Sequence, residues 1–503
     1  MDHFHTRTHK LKGNISPNLQ ENIKYTTQIM QDCNDLVQKQ FKIGIDHEIS
    51  IYIVYMDGLV NTEMLQESVI RPLLQDSFPQ ERTAISQYVI ESADWKWIDT
   101  MEDAMTAVLS GNTVLFLDGE ARAILFSSKS FPTRGVQNAD QEVAIVGPKD
   151  SFTESLRMNT ALIRRRIRDT RLKVIQKQIG TRSKTDYALM YIEDLVQKDI
   201  LNKIQKQMDK ICVDGIFDNG MLQQYLEKDS KTPFPLYQLT QRPDKVASSI
   251  MEGRIAVVLD NSPMVLLLPV TFNVFFQASD DYYNRWEITT FVRILRYMAA
   301  IISIGLPGFY VAIAGFHPEV LPTPFLLALI SAREGVPFPV IVEVLLMELS
   351  FELLREAGIR LPGQLGGTMG VVGGLIVGQA AVDAHLVSTI VVIVVALTAI
   401  ATFSIPNELF TSAFRLMKFF LIILCAFWGL YGFFLGFLAI FIHLFYLENY
   451  GVPYAHPMVE ERGRLSTAFQ DFMVRYPLKR MKYRPEFTKE GARVRQKEDE
   501  DEK

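Results

Sequence analysis

The chain is poor in cysteine, with three in 503 residues: Cys33, Cys212 and Cys425. They lie far apart, with no CxxC pair and no Cys/His cluster. That excludes a disulfide framework and a cysteine-ligated zinc site, and it fits a reducing compartment for the soluble part. The first residues, MDHFHTRTHKLKGN, lack the apolar core and small-residue cleavage site of a signal peptide. No lipobox-like cysteine and no C-terminal lipidation signal is present. The N-terminal part is therefore expected to stay on the synthesis side of any membrane. An excess of basic charge is also missing: the formal net charge is −5 and the pI about 6.0, which argues against a nucleic-acid binder. There is no P-loop, no Gly-rich dinucleotide fingerprint after a strand, no HExxH and no GxSxG. Turn and cap roles account for Asp57 and Asp118. The expectation is a non-enzyme that needs no cofactor and no metal.

What is present is unevenly spread. From Phe291 to Tyr446 charges become sparse, whereas Met1–Asn284 and Val459–Lys503 are richly charged. This pattern predicts a multi-domain membrane protein: two duplicated α/β cytoplasmic subdomains followed by an α-helical transmembrane bundle.

The duplication rests on paired landmarks. Val54–Val60 (VYMDGLV) matches Met190–Val196 (MYIEDLV), and Gly111–Asp118 (GNTVLFLD) matches Gly253–Asp260 (GRIAVVLD). In each copy a glycine is expected to end a helix at positive φ. An apolar run is then expected to form a buried strand, and Asp-Gly or Asp-Asn to turn the chain into a hairpin. The expected layout is an N-terminal arm over 1–44, expected flexible, α/β subdomains over 45–150 and 171–275, and a linker helix over 151–170. A transmembrane domain follows over 286–447, then a charged cytoplasmic tail over 448–503. The basic run LIRRRIRDTRLK, Leu162–Lys173, reads first as a solvated helix face. Contact with anionic lipid or a neighbouring subunit is the alternative.

A spanning helix needs about 20 mostly apolar residues. Phe291–Phe316, Leu365–Val382 and Leu386–Ile405 qualify, and Gly429 and Gly432 predict that Leu416–Tyr446 folds as a tight hairpin of two short helices. Phe325–Leu354 is interrupted by Arg333–Pro339 (REGVPFP), where two prolines and a glycine should break a helix. Placing Lys- and Arg-bearing loops inside gives about six crossings with both termini cytoplasmic. Four crossings, with the broken segment lying on the surface, would put Arg355, Arg360 and Arg415 outside.

Two membrane features stand out. Gly366, Gly370, Gly374 and Gly378 recur every fourth residue, as in helix-packing motifs, serving either packing within one subunit or a pore between subunits. Glu343, Glu348 and Glu352 sit in the broken segment, where ionisable groups at depth mark ion pathways. The competing reading is an interfacial amphipathic helix whose polar face joins Glu348 and Glu352 to Arg355.

Several stretches carry a family resemblance: LIRRRI (162–167), GTRSKTD (180–186), REGVPFP (333–339), FELLREAGIRLP (351–362), VGGLIVGQAAV (372–382) and VALTAIATFSIPN (395–407). Together they resemble the A subunit of GerA-type spore germinant receptors across roughly residues 45–456. The resemblance implies residence in the inner membrane of the spore and a response to nutrients. It implies partnership with a transporter-like B subunit and a lipoprotein C subunit, and homo-oligomerisation into a gated cation channel. A solute transporter and a non-conducting scaffold are the alternatives. His385 departs from the small residue usual at its turn, and the first forty residues and the tail after Met458 carry no resemblance.

Overall fold

The computed structural model describes residues 13–43, 49–74, 94–130, 146–227, 231–360, 377–459, 470–485 and 487–496. Its N-terminal half is built from two five-stranded antiparallel sheets of one topology, ordered β1-β2-β4-β5-β3 and β6-β7-β9-β10-β8. In the first, α1 (Leu19–Ile29) leads into β1 (Leu36–Ile43) and β2 (Ile49–Met56). Next come α2 (Thr62–Leu65), a π-helical turn over Gln66–Ile70, and α3 (Arg71–Leu73). The sheet is completed by β3 (Trp95–Ile98), α4 (Met101–Leu109), β4 (Thr113–Leu117) and β5 (Ala123–Phe126). The second repeats the plan with α5 (Leu156–Arg166), β6 (Leu172–Ile179), β7 (Thr185–Ile192), α6 (Lys198–Met208) and α7 (Asn219–Leu226). It ends with β8 (Gln238–Thr240), α8 (Pro243–Met251), β9 (Ile255–Leu259) and β10 (Val265–Leu268).

The central strands read as unbroken apolar runs because both faces are covered. Tyr52, Val54 and Met56 of β2 pack with α1 and α4, while Ile51, Ile53 and Tyr55 pack on the opposite side with Leu65, Val69 and Leu73. Gly111 and Gly253 close α4 and α8 at φ +86° and +88°, as the matched spacing predicts.

The repeat reaches further toward the N-terminus than the sequence landmarks do. Asp118 Oδ1 accepts a hydrogen bond from the Leu19 N–H at the start of α1, and Asp260 Oδ1 from the Leu156 N–H at the start of α5. Asn22 clasps both backbone groups of Ser16, and Asn159 does the same at Thr153. Each sheet therefore begins with its own capped helix. Two expected boundaries are corrected: the supposed arm over 1–44 contains α1 and β1, and the supposed linker helix over 151–170 is the opening helix of the second repeat. The caps explain the miss, since α1 is polar and its anchoring carboxylate lies 99 residues away.

Two short 3-10 turns, Phe272–Phe276 and Ser279–Tyr282, lead to the helical half. It comprises α9 (Trp286–Phe316), α10 (Thr323–Ala332), α11 (Val340–Arg360), a helical stretch over 377–383, α12 (Thr389–Phe403) and α13 (Glu408–Tyr446). α9 and α13 are long and apolar enough to cross a membrane by length and composition; α10 and α12 are shorter apolar helices. The proline-bearing loop between α10 and α11 breaks the helix where expected.

α13 is two helices joined at Gly429, whose φ +57° and ψ −134° are not helical. The second arm folds back on the first. A Cβ on Gly432 would overlap the Leu424 carbonyl, and one on Gly436 would overlap the Leu421 side chain. α9 lies alongside, with Gly308 against Leu421 and Cys425, and with the Gly429 turn against Phe316 and His317. At the other end, Phe275 stacks on Phe410 at 4.9 Å and Phe276 on Tyr297 at 4.1 Å, joining the second repeat to α13 and α9.

Beyond α13 the chain returns to the second repeat. Thr488 Oγ1 donates to the Glu252 carbonyl, Arg484 Nε to the Met251 carbonyl, and Asn273 Nδ2 to the Asp471 carbonyl. The described part of the charged tail is thus packed against folded structure.

Candidate functional site: an ion-pair ladder in the helical half

α11 carries three carboxylates on the side it buries, and each meets a cation from another segment. Glu343, wholly buried, pairs with Arg333 at 3.2 Å, and its other oxygen accepts the Ser388 N–H at the head of α12 at 2.9 Å. Glu348 is 2% exposed and pairs with Lys418 on the first arm of α13. Glu352 pairs with Arg415, one turn earlier on that arm. At the foot, Arg355 lies 3.8 Å from Glu408 and over the Phe403 ring.

The order of contacts fixes helix direction. Rising residue numbers on α11 meet falling numbers on α13, so α11 and the first arm are antiparallel. Glu343 touches the start of α12 and Arg355 its end, so α11 and α12 run the same way. The steps from Glu343 to Glu352 span about 14 Å at ~1.5 Å per residue. Every carboxylate is compensated. An isolated buried charge costs several kcal/mol, so partners are required. The interfacial-helix alternative joined Glu348 and Glu352 to Arg355; the structure pairs them with Lys418 and Arg415 instead. Helical spacing shows only neighbours on the same helix, and these cations lie 70 and 63 residues away in the sequence.

Gly378, the described member of the glycine series, is buried with Val392 of α12 against it: an added Cβ would sit 3.3 Å from Val392 Cγ1. Gly366, Gly370 and Gly374 lie outside the described residues. His385 adopts φ +55°, which explains why a small residue suits that turn, and its ring covers Gly335 of the REGVPFP loop. The breaks after α10 and after 377–383 therefore lie at one end of the bundle.

A second charged cluster, which sequence reasoning missed, sits where α9 begins. Arg293 is fully buried and bonds Asp281 at 2.9 Å and Asp471 at 2.6 Å; Arg296 also bonds Asp281, and Tyr282 donates to Asp471 at 2.7 Å. The only signal was three arginines ahead of an apolar run. The basic run that begins in the last turns of α5 is likewise not a plain solvated face. Arg164 is buried against Asp35, and Lys173 is buried with its ammonium on the Ile29 and Gln31 carbonyls. Burial raises the Cys33 thiol beside this pair, opposed by Arg164. Among the described residues no cluster of three or more His, Cys, Asp or Glu could hold a metal ion.

Comparison with known proteins places this arrangement in a lineage. The model of the Bacillus/Clostridium GerA spore germination protein family matches residues 24–487. That span reaches back to residue 24 and forward into the tail as far as residue 487, correcting the narrower resemblance drawn from motifs. The chain is 39% identical to the uncharacterized membrane protein YfkQ of Bacillus subtilis (strain 168), over 88% of this chain and 86% of that protein. It is 38% identical to spore germination protein KA of the same strain, over 96% and 89%. Among solved structures it is similar to the N-terminal domain of the A subunit of the Bacillus megaterium spore germinant receptor GerK3. The match has 29% identity over 52% of this chain and 98% of that one, at a TM-score of 0.42. A duplicated α/β half, a helical half with two helices long enough to span a membrane, and a family match along nearly the whole chain agree: this protein belongs to the GerA spore germination protein family.

Proposed function

We propose that this chain is the A subunit of a nutrient-responsive germinant receptor in the inner spore membrane, oligomerising into a gated cation conduit. It works there with a transporter-like B subunit and a lipoprotein C subunit. The observation that carries the reading is the family match over residues 24–487. The antiparallel run of α11 against α13 and the Gly429 hairpin support six crossings with the α/β half and the C-terminal residues on one side.

In this reading the ladder is a latch. Cations cannot occupy Glu348 or Glu352 while Lys418 and Arg415 hold them. Opening requires α11 and α13 to separate and free the carboxylates for permeating ions, as carboxylate rings do in cation channels. The test is nutrient-triggered ion release from spores carrying Glu343→Gln, Glu348→Gln or Glu352→Gln at unchanged protein abundance. Reduced flux or altered selectivity is expected. Normal release and selectivity in all three would remove these residues from the pathway. The full compensation of the ladder favours one second reading, a non-conducting scaffold. Purified protein in liposomes separates the two by passive ion flux.

A further inference from the structure

The returning C-terminal segment runs along the start of α9. Tyr297–Phe316 is a stretch of 20 residues without Asp, Glu, Lys or Arg. At ~1.5 Å per residue it is about 30 Å long, the thickness of a bilayer's hydrocarbon. The preceding turns, Trp286–Arg296, therefore stand in the headgroup layer when α9 crosses a membrane as proposed above. Phe472 packs on Tyr297, with ring centroids 5.2 Å apart, and Arg475 meets Thr290. Residues 472–475 thus lie beside those turns.

This stretch is not helical, yet its backbone is satisfied from the protein side. The Asp471 carbonyl accepts from Asn273 Nδ2, Gln277 Nε2 and Arg293 Nη1, and the Phe472 carbonyl from Arg293 Nη1. Thr290 Oγ1 donates to the Arg475 carbonyl and accepts the Arg475 N–H, each at 3.2 Å. Irregular backbone at membrane depth is tolerated only where protein satisfies it in this way. The side chains are turned opposite to what water favours. The Arg475 guanidinium is buried, whereas Met473, Val474, Tyr476 and Leu478 are exposed. On α9 itself Trp286, Ile288, Phe291 and Ile294 are exposed. A single exposed apolar residue is ordinary; a set of them flanking the entry of an apolar helix is not.

Charge selects the partner. The segment continues through the turn Leu478–Arg480 to Lys482. Lys479 and Arg480 are exposed and Lys482 half-buried, and among the described residues the three make no ion pair. An apolar protein surface would desolvate these cations without compensation. The surface of an anionic bilayer accepts both parts, aromatic and aliphatic groups at headgroup level and Lys or Arg on the phosphates. We propose that Met473–Lys482 docks into the headgroup layer of the membrane that α9 crosses, and that Lys479, Arg480 and Lys482 select anionic phospholipid there.

The inference rests on α9 spanning the membrane, so the test carries a check of that reading. Full-length protein with Cys212→Ser, in which the remaining Cys33 and Cys425 are buried, receives a single cysteine at Leu478 or at Ile301, an exposed position within the apolar stretch of α9. Each is labelled with a fluorophore and reconstituted into vesicles of phosphatidylcholine and phosphatidylglycerol, in which an equal small share of one lipid or the other carries a nitroxide quencher. The Ile301 label is expected to be quenched alike by both lipids. The Leu478 label is expected to be quenched by both, and at least about twofold more by the phosphatidylglycerol nitroxide. The combined change Lys479→Gln, Arg480→Gln and Lys482→Gln is expected to remove that preference. The proposal is overturned if Leu478 escapes quenching while Ile301 does not, which would turn the segment toward water or a protein partner. Equal quenching of Leu478 by the two lipids overturns it as well, as does a preference that survives the triple change. If neither position is quenched, the crossing by α9 fails together with the proposal.

Discussion

Arg164 of α5 and Asp35 before β1 form a two-pronged ion pair across the two repeats, Nε to Oδ2 at 2.8 Å and Nη2 to Oδ1 at 2.9 Å. Both side chains are almost fully buried, and Arg164 also donates to the Leu172 carbonyl. Removing one partner strands the other. Asp35→Asn is expected to cost about 3–5 kcal/mol in urea unfolding, and the double change Asp35→Leu with Arg164→Met much less than the sum of the two singles.

The hairpin in α13 makes a steric prediction. Gly432→Leu places a side chain where the Leu424 carbonyl lies, so the arms must part. Loss of folded protein in membranes is expected, whereas Gly315→Ala, with nothing within 4 Å of the added carbon, should accumulate normally. Quantitative immunoblotting of membrane fractions checks both.

The ladder makes an electrostatic one. Arg415→Glu places two carboxylates together and is expected to lower protein abundance and germination. Adding Glu352→Arg restores opposite charges across the same pair and should recover a substantial part of both. A swap of Glu352 with Arg355 should not, because Arg355 reaches Glu408 instead.

Six crossings predict a labelling pattern. Cysteines introduced at His317 and Ala384, in a background lacking Cys212, should react with an impermeant maleimide from outside, and one at Ser412 should not. Outside labelling at Ser412 with none at Ala384 would overturn the arrangement.

Acid stability has a definable contributor on α8. Burial raises the Asp244 carboxyl, but hydrogen bonds from Arg242 and Tyr283 and the Arg242 charge outweigh it and hold it below the ordinary 3.8. A depressed carboxyl stabilises the fold above its unfolded-state value, and the benefit disappears as pH falls through the folded-state value. Urea midpoints should therefore drop with acidification from about pH 5 downward, and Asp244→Asn should flatten that slope.

The repeat was legible because its signals are local: glycine at positive φ after α4 and α8, an apolar strand, then an acidic turn. Its true start was not, because Asp118 and Asp260 cap helices about a hundred residues earlier in sequence. The break at REGVPFP and the turn at Gly429 were readable, since proline and glycine act where they stand. Glu343, Glu348 and Glu352 of α11 were readable as unusual, but their partners Arg333, Lys418 and Arg415 were not. Periodicity reports neighbours on one helix and is silent about the next.

The junction at the foot of α9 has a consequence for biosynthesis. Two arginines, Arg293 and Arg296, share one nearby carboxylate, Asp281, which leaves a surplus positive charge. Asp471, 178 residues after Arg293, brings the set to neutrality. While the ribosome is still making the helices in between, α9 carries its unbalanced charge, which in the proposed six-crossing topology favours retention of that end inside. Only when the segment bearing Asp471 emerges is Arg293 given its second carboxylate, so the foot of α9 matures after α10 to α13 have been made.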